Sequence, residues 1–447
     1  MALPAIPPLD RSVPAVVVKA VHYELHHGAL GIIRSLGRAK VPVFAILENG
    51  ATPVAYSRYL SGRLDWWPEP PDDERFVARM VDIARCIGRP SVAIAADDVA
   101  AILLAENASR LRPWFVLPGV HPELIRTLSS KIGMHDVCRD HGIPTPRTYR
   151  PESYAHLVEI AAHLGYPLIA KNVEPFRSRE SLQLPSTVLV QDQRELEARF
   201  AHLSDLSTVL IQEYIPLEHS EDWFVALYRG EREGQIVGFT GQKARAWPMR
   251  SGSTAEGRSR PNKELWALAE RFVNELGWLG IASLDWRLDH RTGRYNLLDF
   301  NVRPGAQFSF GESLAGVDVV RAMHLDLTGR PIPPAAQDYR RRLKVGNIYL
   351  LNTVGRRFAG LPTPAPPEER QQTVRAWSAW DDPVPALVMA TKGTRSVWRE
   401  LGEGFRLWRQ QRAKTPEVWT PTLAPAVAVT TGNSVRVPPP ATTGSQH

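Results

Sequence analysis

Residues 296–307, NLLDFNVRPGAQ, place a carboxylate and an amide two positions apart in a run that otherwise predicts a strand. Because side chains alternate along a strand, Asp299 and Asn301 share one face. A hairpin with its turn at residues 290–294 brings Asp285 directly opposite Asp299. Carboxylates in facing positions lie with their Cβ atoms about 5 Å apart and repel each other, so this patch of sheet favours a bound cation.

The oxygen donors of this patch indicate which cation it would take. Hard oxygen ligands with no histidine or cysteine nearby favour Mg²⁺ over zinc, and Mg²⁺ completes its shell with water and substrate phosphates. The patch therefore fits a Mg·ATP site. The alternative is a solvated hairpin face, or Asp299 paired with Arg303 or Arg287. For an Asp-x-Asn pair alone, the solvated or ion-paired face is the favoured interpretation. The facing Asp285 and the following Arg303 make a metal site equally favoured.

Three further groups of residues are compatible with a nucleotide at the same place. Lys171 ends an apolar strand, where a buried ammonium needs an anion such as phosphate, although a lysine that reaches solvent is the commoner case. The run 209–215, VLIQEYI, ends in groups that could meet adenine and ribose at a hinge, which is also a common edge-strand pattern. Lys243 and Arg245 lie two apart on one predicted strand face, where either an anion or solvent must separate them.

Strands and helices alternate through the first 120 residues. Short apolar strands are predicted at 15–20, 41–48, 91–98 and 114–119, with helices at 28–40, 75–88 and about 99–110. Connections of this length suit parallel strands, so the pattern predicts a small open α/β domain.

The next 210 residues predict a second sheet and the hairpin that carries the carboxylates. A helix pair is predicted within 121–146, strands at 166–171, 186–190, 207–215, 223–230 and 235–248, an amphipathic helix at 262–277, the hairpin at 281–301 and a helix at about 312–328. The polar segment 172–185, NVEPFRSRESLQLP, predicts a mobile loop between two strands. After residue 330 the chain becomes rich in proline, with a basic amphipathic helix predicted at 394–414.

Composition excludes several classes of protein. The net charge of +7 over 447 residues argues weakly for anionic small ligands, and no nucleic-acid-binding motif is present. Two distant cysteines, Cys86 and Cys138, give no disulfide framework and no zinc motif, which suits a reducing, cytoplasmic compartment. The first residues lack the pattern of a signal peptide, and no apolar run approaches the roughly 20 residues of a membrane helix.

Six motifs, taken together and in order, resemble the ATP-grasp superfamily, specifically its stand-alone carboxylate–amine ligases. They are SSK at 129–131, PLIAK at 167–171, IQEYIP at 211–216, QKARAWP at 242–248, SLDWRL at 283–288 and LLDFNVRPG at 297–305. The likeness covers about 121 to 330, and the preceding α/β segment resembles the usual N-terminal partner of that family. One such motif is weak evidence, but six in this order and spacing are specific.

The resemblance implies a fold class of α/β and α+β, in which a parallel α/β domain precedes a two-lobed ATP-grasp fold. It implies an N-terminal pre-ATP-grasp domain over 1–120 and an ATP-grasp domain over 121–330 with lobes at about 121–210 and 211–330. Composition, not the resemblance, predicts a C-terminal extension of uncertain fold over 331–415 and a disordered tail over 416–447.

The resemblance also implies roles for individual residues. Mg²⁺, as two ions with Mn²⁺ as an alternative, would be held by Asp285, Asp299 and Asn301, with Asp299 shared between the ions where many members have glutamate. ATP would be held by Lys131, Lys171, Gln212, Glu213, Tyr214 and Ile215, with the ribose at either Glu221 or Asp222. The γ-phosphate and the acyl phosphate would be held by Lys243, Arg245 and Arg303.

One segment departs from the family pattern. Many members cover the phosphates with a glycine-rich loop, but residues 172–185 contain no glycine. Side chains would then replace backbone N–H groups as phosphate ligands. The candidates in this chain are Arg177, Ser178, Arg179 and Ser181. The departure concerns this loop, the lid over the phosphates, and leaves the ATP site itself intact.

The activity implied is a ligation in two steps: a substrate carboxylate attacks the γ-phosphorus of ATP, and an amine then displaces phosphate from the acyl phosphate. The acid is expected to enter near residues 21–28, before a helix N-terminus suited to anions. His22, His26 and His27 in this segment are interpreted as ordinary loop residues rather than metal ligands.

Two alternatives stay open: a phosphotransferase with a non-carboxylate acceptor, and a non-catalytic nucleotide-binding scaffold. Small-molecule acids and amines are the expected partners, without nucleic acid or membrane. A homo-oligomer, or a partner protein bound through the C-terminal extension, also stays open.

Overall fold

A parallel sheet built from the first 116 residues positions one side of the candidate site. The computed structural model describes residues 6–67, 72–174, 184, 187–203, 205–232, 234–249, 252–358, 360 and 371–392. The strands of this sheet are β1 (Ala15–Val18), β2 (Val43–Leu47), β3 (Gly62–Asp65), β4 (Ser91–Ala95) and β5 (Phe115–Val116). They lie in the order β3-β2-β1-β4-β5 and all pair in parallel, as the alternating pattern predicted. Strand β3 was not predicted, because a short edge strand with the sequence GRLD lacks an apolar run.

The helices of this first layer follow the strands closely. They are α1 (His27–Arg38), α2 (Asp73–Ile87), α3 (Asp98–Glu106) and α4 (Ala108–Leu111). Asp72 and Asp97 cap α2 and α3 by accepting backbone N–H groups, and Gly88 ends α2 in the left-handed conformation.

A four-stranded antiparallel sheet follows in the chain. Its elements are α5 (Pro122–Ser129), α6 (Lys131–Asp140), β6 (Thr148–Tyr149), α7 (Tyr154–Leu164), β7 (Leu168–Asn172), β8 (Val188–Val190), α8 (Gln193–Phe200) and β9 (Val209–Glu213). The strands lie in the order β6-β9-β7-β8, with helices α7 and α8 burying their apolar residues against the sheet. The lid candidates Arg177, Ser178, Arg179 and Ser181 lie outside the described residues.

A seven-stranded sheet carries the predicted carboxylates. Its elements are β10 (Ser220–Arg229), β11 (Ile236–Trp247), β12 (Ser253–Ser259), α9 (Lys263–Glu275), β13 (Gly280–Asp289), β14 (Arg294–Asn301), α10 (Val319–Leu327), β15 (Arg341–Lys344), α11 (Gly346–Phe358) and β16 (Gln372–Arg375). The strands lie in the order β14-β13-β10-β11-β12-β15-β16. One face packs against α9 and the other against α1 and α10, so two hydrophobic cores enclose the sheet.

The helix predicted at about 312–328 is shorter than expected. It begins only at Val319, because Gly316 takes a positive φ and the Asp318 side chain accepts the first free N–H groups of the helix. No helix among the described residues is long and apolar enough to cross a bilayer.

The first part of the C-terminal extension is folded onto the rest of the chain. Strands β15 and β16 extend the large sheet, and a last helix occupies 384–392. Asp382, whose side chain is 1% exposed, accepts hydrogen bonds from Arg34 Nε at 2.8 Å and from Ser57 Oγ at 2.8 Å. The helix predicted at 394–414 and the tail predicted at 416–447 lie outside the described residues, and the proposed domain boundaries stay predictions.

Candidate functional site

The hairpin brings Asp285 and Asp299 into facing positions, as the sequence predicted. Strand pairing runs from Asp289 opposite Arg294 to Trp286 opposite Leu297, and then shifts by one residue. The extra residue is Leu298, which forms a β-bulge. The turn is one residue tighter than predicted, since pairing already begins at Arg294, and the bulge restores the predicted pairing of the two carboxylates.

Asn301 completes a set of three oxygen-bearing side chains on one sheet face. It pairs with Ser283, two residues before Asp285, and its Nδ2 donates to the Ser283 carbonyl at 3.1 Å. Two carboxylates and an amide from neighbouring strands form a donor set suited to Mg²⁺. Within the described residues no three His, Cys, Asp or Glu side chains group together, so phosphate and water oxygens would have to complete the shell of an ion here.

Three lysines surround these carboxylates. Lys131 Nζ contacts Asp299 Oδ1, and Lys243 Nζ lies 3.8 Å from Asp285 Oδ1. Lys171 Nζ donates to Gln212 Oε1 at 2.9 Å. The lysines come from α6, β7 and β11, so three separate elements direct positive charge to one place, which suits a polyanion such as a triphosphate.

The surroundings give the two carboxyl groups different pKa values. Burial raises the pKa of Asp285, an effect that the charge of Asp299 reinforces and that Lys243 only partly offsets. Burial acts on Asp299 as well, but Lys131 and the nearby Lys171 outweigh it, so the pKa of Asp299 falls below its usual value. Asp299 is therefore ionised and ready to bind a cation over a wide range of pH.

Burial and the neighbouring Lys131 lower the pKa of Lys171 to about 8. Its ammonium donates to Gln212 and lies near the charges of Lys131 and Asp299, so it belongs to the same charged cluster as the carboxylates. The lowered pKa and the hydrogen bond to Gln212 are compatible with a phosphate ligand, and the role of Lys171 stays a prediction.

A cleft of about 150 Å³ between the four-stranded and the seven-stranded sheets contains most of the predicted nucleotide contacts. It is lined by Lys171, Gln212, Glu213, Ile215, Asp222, Lys243, Asp285 and Asp299, among other residues. Tyr214 is not among the residues that line it.

Glu221 and Asp222 are the two residues predicted to contact the ribose. Asp222 lines this cleft, whereas Glu221 does not line it and accepts a hydrogen bond from the indole N–H of Trp223 at 3.0 Å. Asp222 is bound by both ends of the Arg287 guanidinium, at 2.7 and 3.1 Å. Asp222, held by Arg287, therefore lies in the cleft, and which of the two residues contacts the ribose stays a prediction.

Lys243 and Arg245 do not share a strand face, contrary to prediction. Lys243 pairs with Gly257 and Arg245 with Glu256, so a bulge at Ala244 turns Arg245 to the opposite face. There the Arg245 Nε lies 3.2 Å from a buried Glu256 carboxylate. Lys243 lines the cleft and Arg245 does not, so the predicted phosphate contact of Arg245 stays a prediction.

Arg303 lies at the edge of a larger cavity of about 660 Å³, which opens toward the N-terminal layer. Its Nε lies 3.3 Å from Oδ1 of Asp98, at the start of α3. Asp98 was not predicted from the sequence, although the Asp-Asp pair at the carboxyl end of β4 was an available signal, because ligands of parallel sheets bind at that end.

The segment 21–28 lines the same cavity and is held by buried charged residues that were not predicted from the sequence. Asp97 accepts the N–H groups of Ala20 and Val21, at 2.8 and 3.1 Å. Lys19 contacts Glu48, and each of the two side chains also binds one backbone group of Tyr23. The predicted entry segment for the acid is therefore a fixed wall of the cavity.

His26 and His27 line this wall. His26 Nδ1 accepts the Ala29 N–H at 2.9 Å and so caps α1. Burial lowers the pKa of His27 to about 4, so its ring is neutral at physiological pH.

No family model matches the chain. The sequence is 22% identical to D-aspartate ligase of Enterococcus faecium over 310 residues, which are 65% of this chain and 72% of that relative.

Two solved structures have similar backbones. N5-carboxyaminoimidazole synthetase from Staphylococcus aureus aligns with a TM-score of 0.56 at 12% identity, over 75% of this chain and 82% of that one. The biotin carboxylase domain of Hydrogenobacter thermophilus 2-oxoglutarate carboxylase, in complex with MgADP, ADP and bicarbonate, aligns with a TM-score of 0.51 at 16% identity, over 72% and 71% of the two chains. At these identities the likeness shows the fold. This chain has the ATP-grasp fold, as its six motifs predicted.

Proposed function

We propose that this protein is an ATP-dependent ligase that activates a substrate carboxylate as an acyl phosphate and joins it to an amine, releasing ADP and phosphate. The observation that carries the proposal is the set of Asp285, Asp299 and Asn301 on one sheet face, with three lysines directed at it. The named activities of the relative and of the two solved structures support the same reaction class.

Asp285, Asp299 and Asn301 would hold Mg²⁺, proposed as two ions that share Asp299, with Mn²⁺ as a substitute. A bound divalent ion neutralises the charge of the transferring phosphoryl group. Lys131, now in contact with Asp299, and Lys171 would bind phosphate oxygens through charge-assisted hydrogen bonds.

In the first step a carboxylate oxygen of the acid attacks the γ-phosphorus of ATP, and the bond to the bridging oxygen of ADP breaks. Lys243 and Arg303 both line the larger cavity and would hold the acid and the transferred phosphoryl group in line. Asp98 would fix the direction of the Arg303 guanidinium, as the 3.3 Å contact indicates.

In the second step an amine attacks the acyl carbon and phosphate leaves with one former carboxylate oxygen. No covalent intermediate with the protein is needed, because phosphoryl transfer depends on positioning and charge neutralisation. The cavity of about 660 Å³ has room for an acid and an amine together. The two free cysteines, Cys86 and Cys138, suit the proposed cytoplasmic location.

Carboxylate-dependent ADP release tests this function. The purified full-length protein would be screened with Mg·ATP against pooled acids, with hydroxylamine as a trapping amine and mass spectrometry of the products. A ligase gives hydroxamates, whereas a phosphotransferase gives ADP and a stable phosphorylated acceptor without hydroxamate.

Two aspartate variants on the same hairpin sharpen the test. Asp299→Asn is expected to lower kcat by about a thousandfold or more, because the charge that binds the cation is lost. Asp289→Asn is the matched control, since Asp289 lies at the other end of the hairpin and binds Arg291. Hydroxamate formation that survives in Asp299→Asn, or ADP release that no acid stimulates, would contradict the proposal.

A further inference from the structure

The side chain of Gln212 is hydrogen-bonded at both ends, beside the cleft that Lys171 lines. Its Oε1 accepts from Lys171 Nζ at 2.9 Å, and its Nε2 donates to Thr148 Oγ1 at 2.8 Å. The Thr148 hydroxyl in turn donates to the Pro146 carbonyl at 2.8 Å. Gln212 is 6% and Thr148 9% exposed, so this chain of hydrogen bonds is shielded from water and holds its members firmly.

The chemistry of the partners fixes the direction of every hydrogen bond in this chain. An ammonium only donates, and a carbonyl only accepts. The Gln212 oxygen must therefore face Lys171, its NH₂ group must face Thr148, and the Thr148 proton must point to Pro146. A flipped Gln212 amide would turn its NH₂ group toward the ammonium, so only one arrangement satisfies both partners.

The three side chains come from three neighbouring strands of the four-stranded sheet. Thr148 of β6 pairs with Gln212 of β9, and Lys171 of β7 pairs with Leu210, two residues before Gln212. Because side chains alternate along a strand, Gln212 and Lys171 are diagonal neighbours on one sheet face. The opposite face of this sheet packs against α7 and α8, so the polar row lies on the side of the cleft.

The hydrogen-bond acceptor of Lys171 is uncharged, unlike the neighbours of the other two lysines. Lys131 contacts the carboxylate of Asp299, and Lys243 Nζ lies 3.8 Å from that of Asp285. An amide oxygen directs an ammonium without cancelling its charge. It takes one of the three N–H groups of Lys171, which leaves the other two for oxygen atoms of a ligand in the cleft.

The segment 144–148, at the end of this chain of hydrogen bonds, also contacts the hairpin of the carboxylates. The Leu297 N–H of β14 donates to the Pro144 carbonyl at 2.8 Å, and Leu297 lies two residues before Asp299. The segment thus connects the sheet that carries Lys171 to the hairpin that carries Asp299. It helps to set the position of the lysine relative to the carboxylates.

We propose that Gln212 and Thr148 are positioning residues, which direct the Lys171 ammonium toward the phosphates of bound ATP. The inference rests on the proposed function and changes one of its expected contacts. The sequence predicted that Gln212 binds ATP directly, whereas here both ends of its amide are used by Lys171 and Thr148. Gln212 therefore acts on the nucleotide through Lys171.

A double-mutant cycle on Mg·ATP binding tests this assignment. The Kd would be measured at pH 7 by equilibrium dialysis for the wild-type protein, Gln212→Met, Lys171→Met and the double variant. Gln212→Met is expected to raise the Kd about tenfold in the wild-type background and less than about twofold in the Lys171→Met background. An equal rise in both backgrounds would overturn the inference, because Gln212 would then contact ATP itself or act only on the fold.

Thr148 variants test the other end of the chain of hydrogen bonds. Thr148→Val, which loses the hydroxyl, is expected to raise the Kd for Mg·ATP about fivefold, and Thr148→Ser, which keeps it, to stay within about twofold of the wild-type value. Thr145→Val is the matched control, since Thr145 lies three residues earlier and its hydroxyl lies 2.8 Å from Nδ1 of His135 instead. Equal Kd values for Thr148→Val and this control would overturn the role of Thr148.

Binding and turnover keep the inference separate from the proposed function. Mg·ATP binding needs neither acid nor amine, so the cycle supports or overturns the positioning role even if no acid stimulates ADP release and the ligase function fails. Equal effects of Gln212→Met in both backgrounds, together with acid-dependent ADP release, would overturn the positioning role and leave the ligase function standing. A wild-type protein that does not bind Mg·ATP would contradict both.

Discussion

ATP binding to this protein is expected to weaken as the pH rises through about 8, because free Lys171 loses its proton there. Burial lowers the pKa of Lys171, while a bound phosphate would raise it again, so ATP binds the protonated form. In the free protein the ammonium is about 90% populated at pH 7 and about 10% at pH 9. The apparent Kd for Mg·ATP should therefore increase about tenfold between these pH values, which is about 1.4 kcal/mol.

Isothermal titration calorimetry measures this effect directly. At pH 9 binding must take up about 0.9 protons, which is read from the heat in two buffers of different ionisation enthalpy. Lys171→Arg is the control, since a guanidinium stays charged throughout this range and should remove both the proton uptake and the added pH dependence. Proton uptake below about 0.2 at pH 9, or the same uptake in Lys171→Arg, would refute the assignment of Lys171 as a buried phosphate ligand.

Two further substitutions test the surroundings of the site. Asp382→Ala leaves the buried Arg34 guanidinium without its carboxylate partner and should lower the free energy of unfolding, measured by urea unfolding, by about 3–5 kcal/mol. Glu74→Gln, which removes an exposed ion pair, should leave the midpoint of urea unfolding unchanged. Equal unfolding midpoints for Asp382→Ala and the wild-type protein would contradict the packing of the C-terminal extension onto α1. Asp98→Asn should lower kcat about tenfold with an unchanged KM for ATP, because Arg303 loses the carboxylate that orients it. An unchanged kcat of Asp98→Asn in steady-state assays would show that Asp98 has no role in the reaction.

The local elements of the fold could be predicted because they depend on local patterns. The alternation of strands and helices up to residue 116 and the hairpin of β13 and β14 follow from apolar periodicity and turn residues. The β-bulges could not be predicted, because no strong sequence signal marks them. One extra residue in a strand reverses the face of the sheet on which the following side chains lie. The bulge at Leu298 preserved the predicted pairing of Asp285 with Asp299, whereas the bulge at Ala244 separated Lys243 from Arg245.

The contacts that hold the C-terminal extension against α1 join residues far apart in the chain, and single-sequence patterns do not reveal such pairs. Arg34 meets Asp382 across 348 positions, and Trp377 meets the ring of His27. The proline-rich composition after residue 330 favoured linkers, yet residues 371–392 contribute a strand and a helix. Tertiary packing also decides which residues are buried, as for His27 at the start of α1, whose ring lies against Trp377.

Transfer of an oxygen atom from the acid to phosphate tests the proposed reaction most directly. The acid that best supports ADP release would be labelled with ¹⁸O in its carboxylate and turned over with Mg·ATP and an amine, and the released phosphate would be examined by mass spectrometry. An acyl phosphate route predicts one labelled oxygen in each phosphate released. Unlabelled phosphate at full turnover would contradict carboxylate activation by this protein.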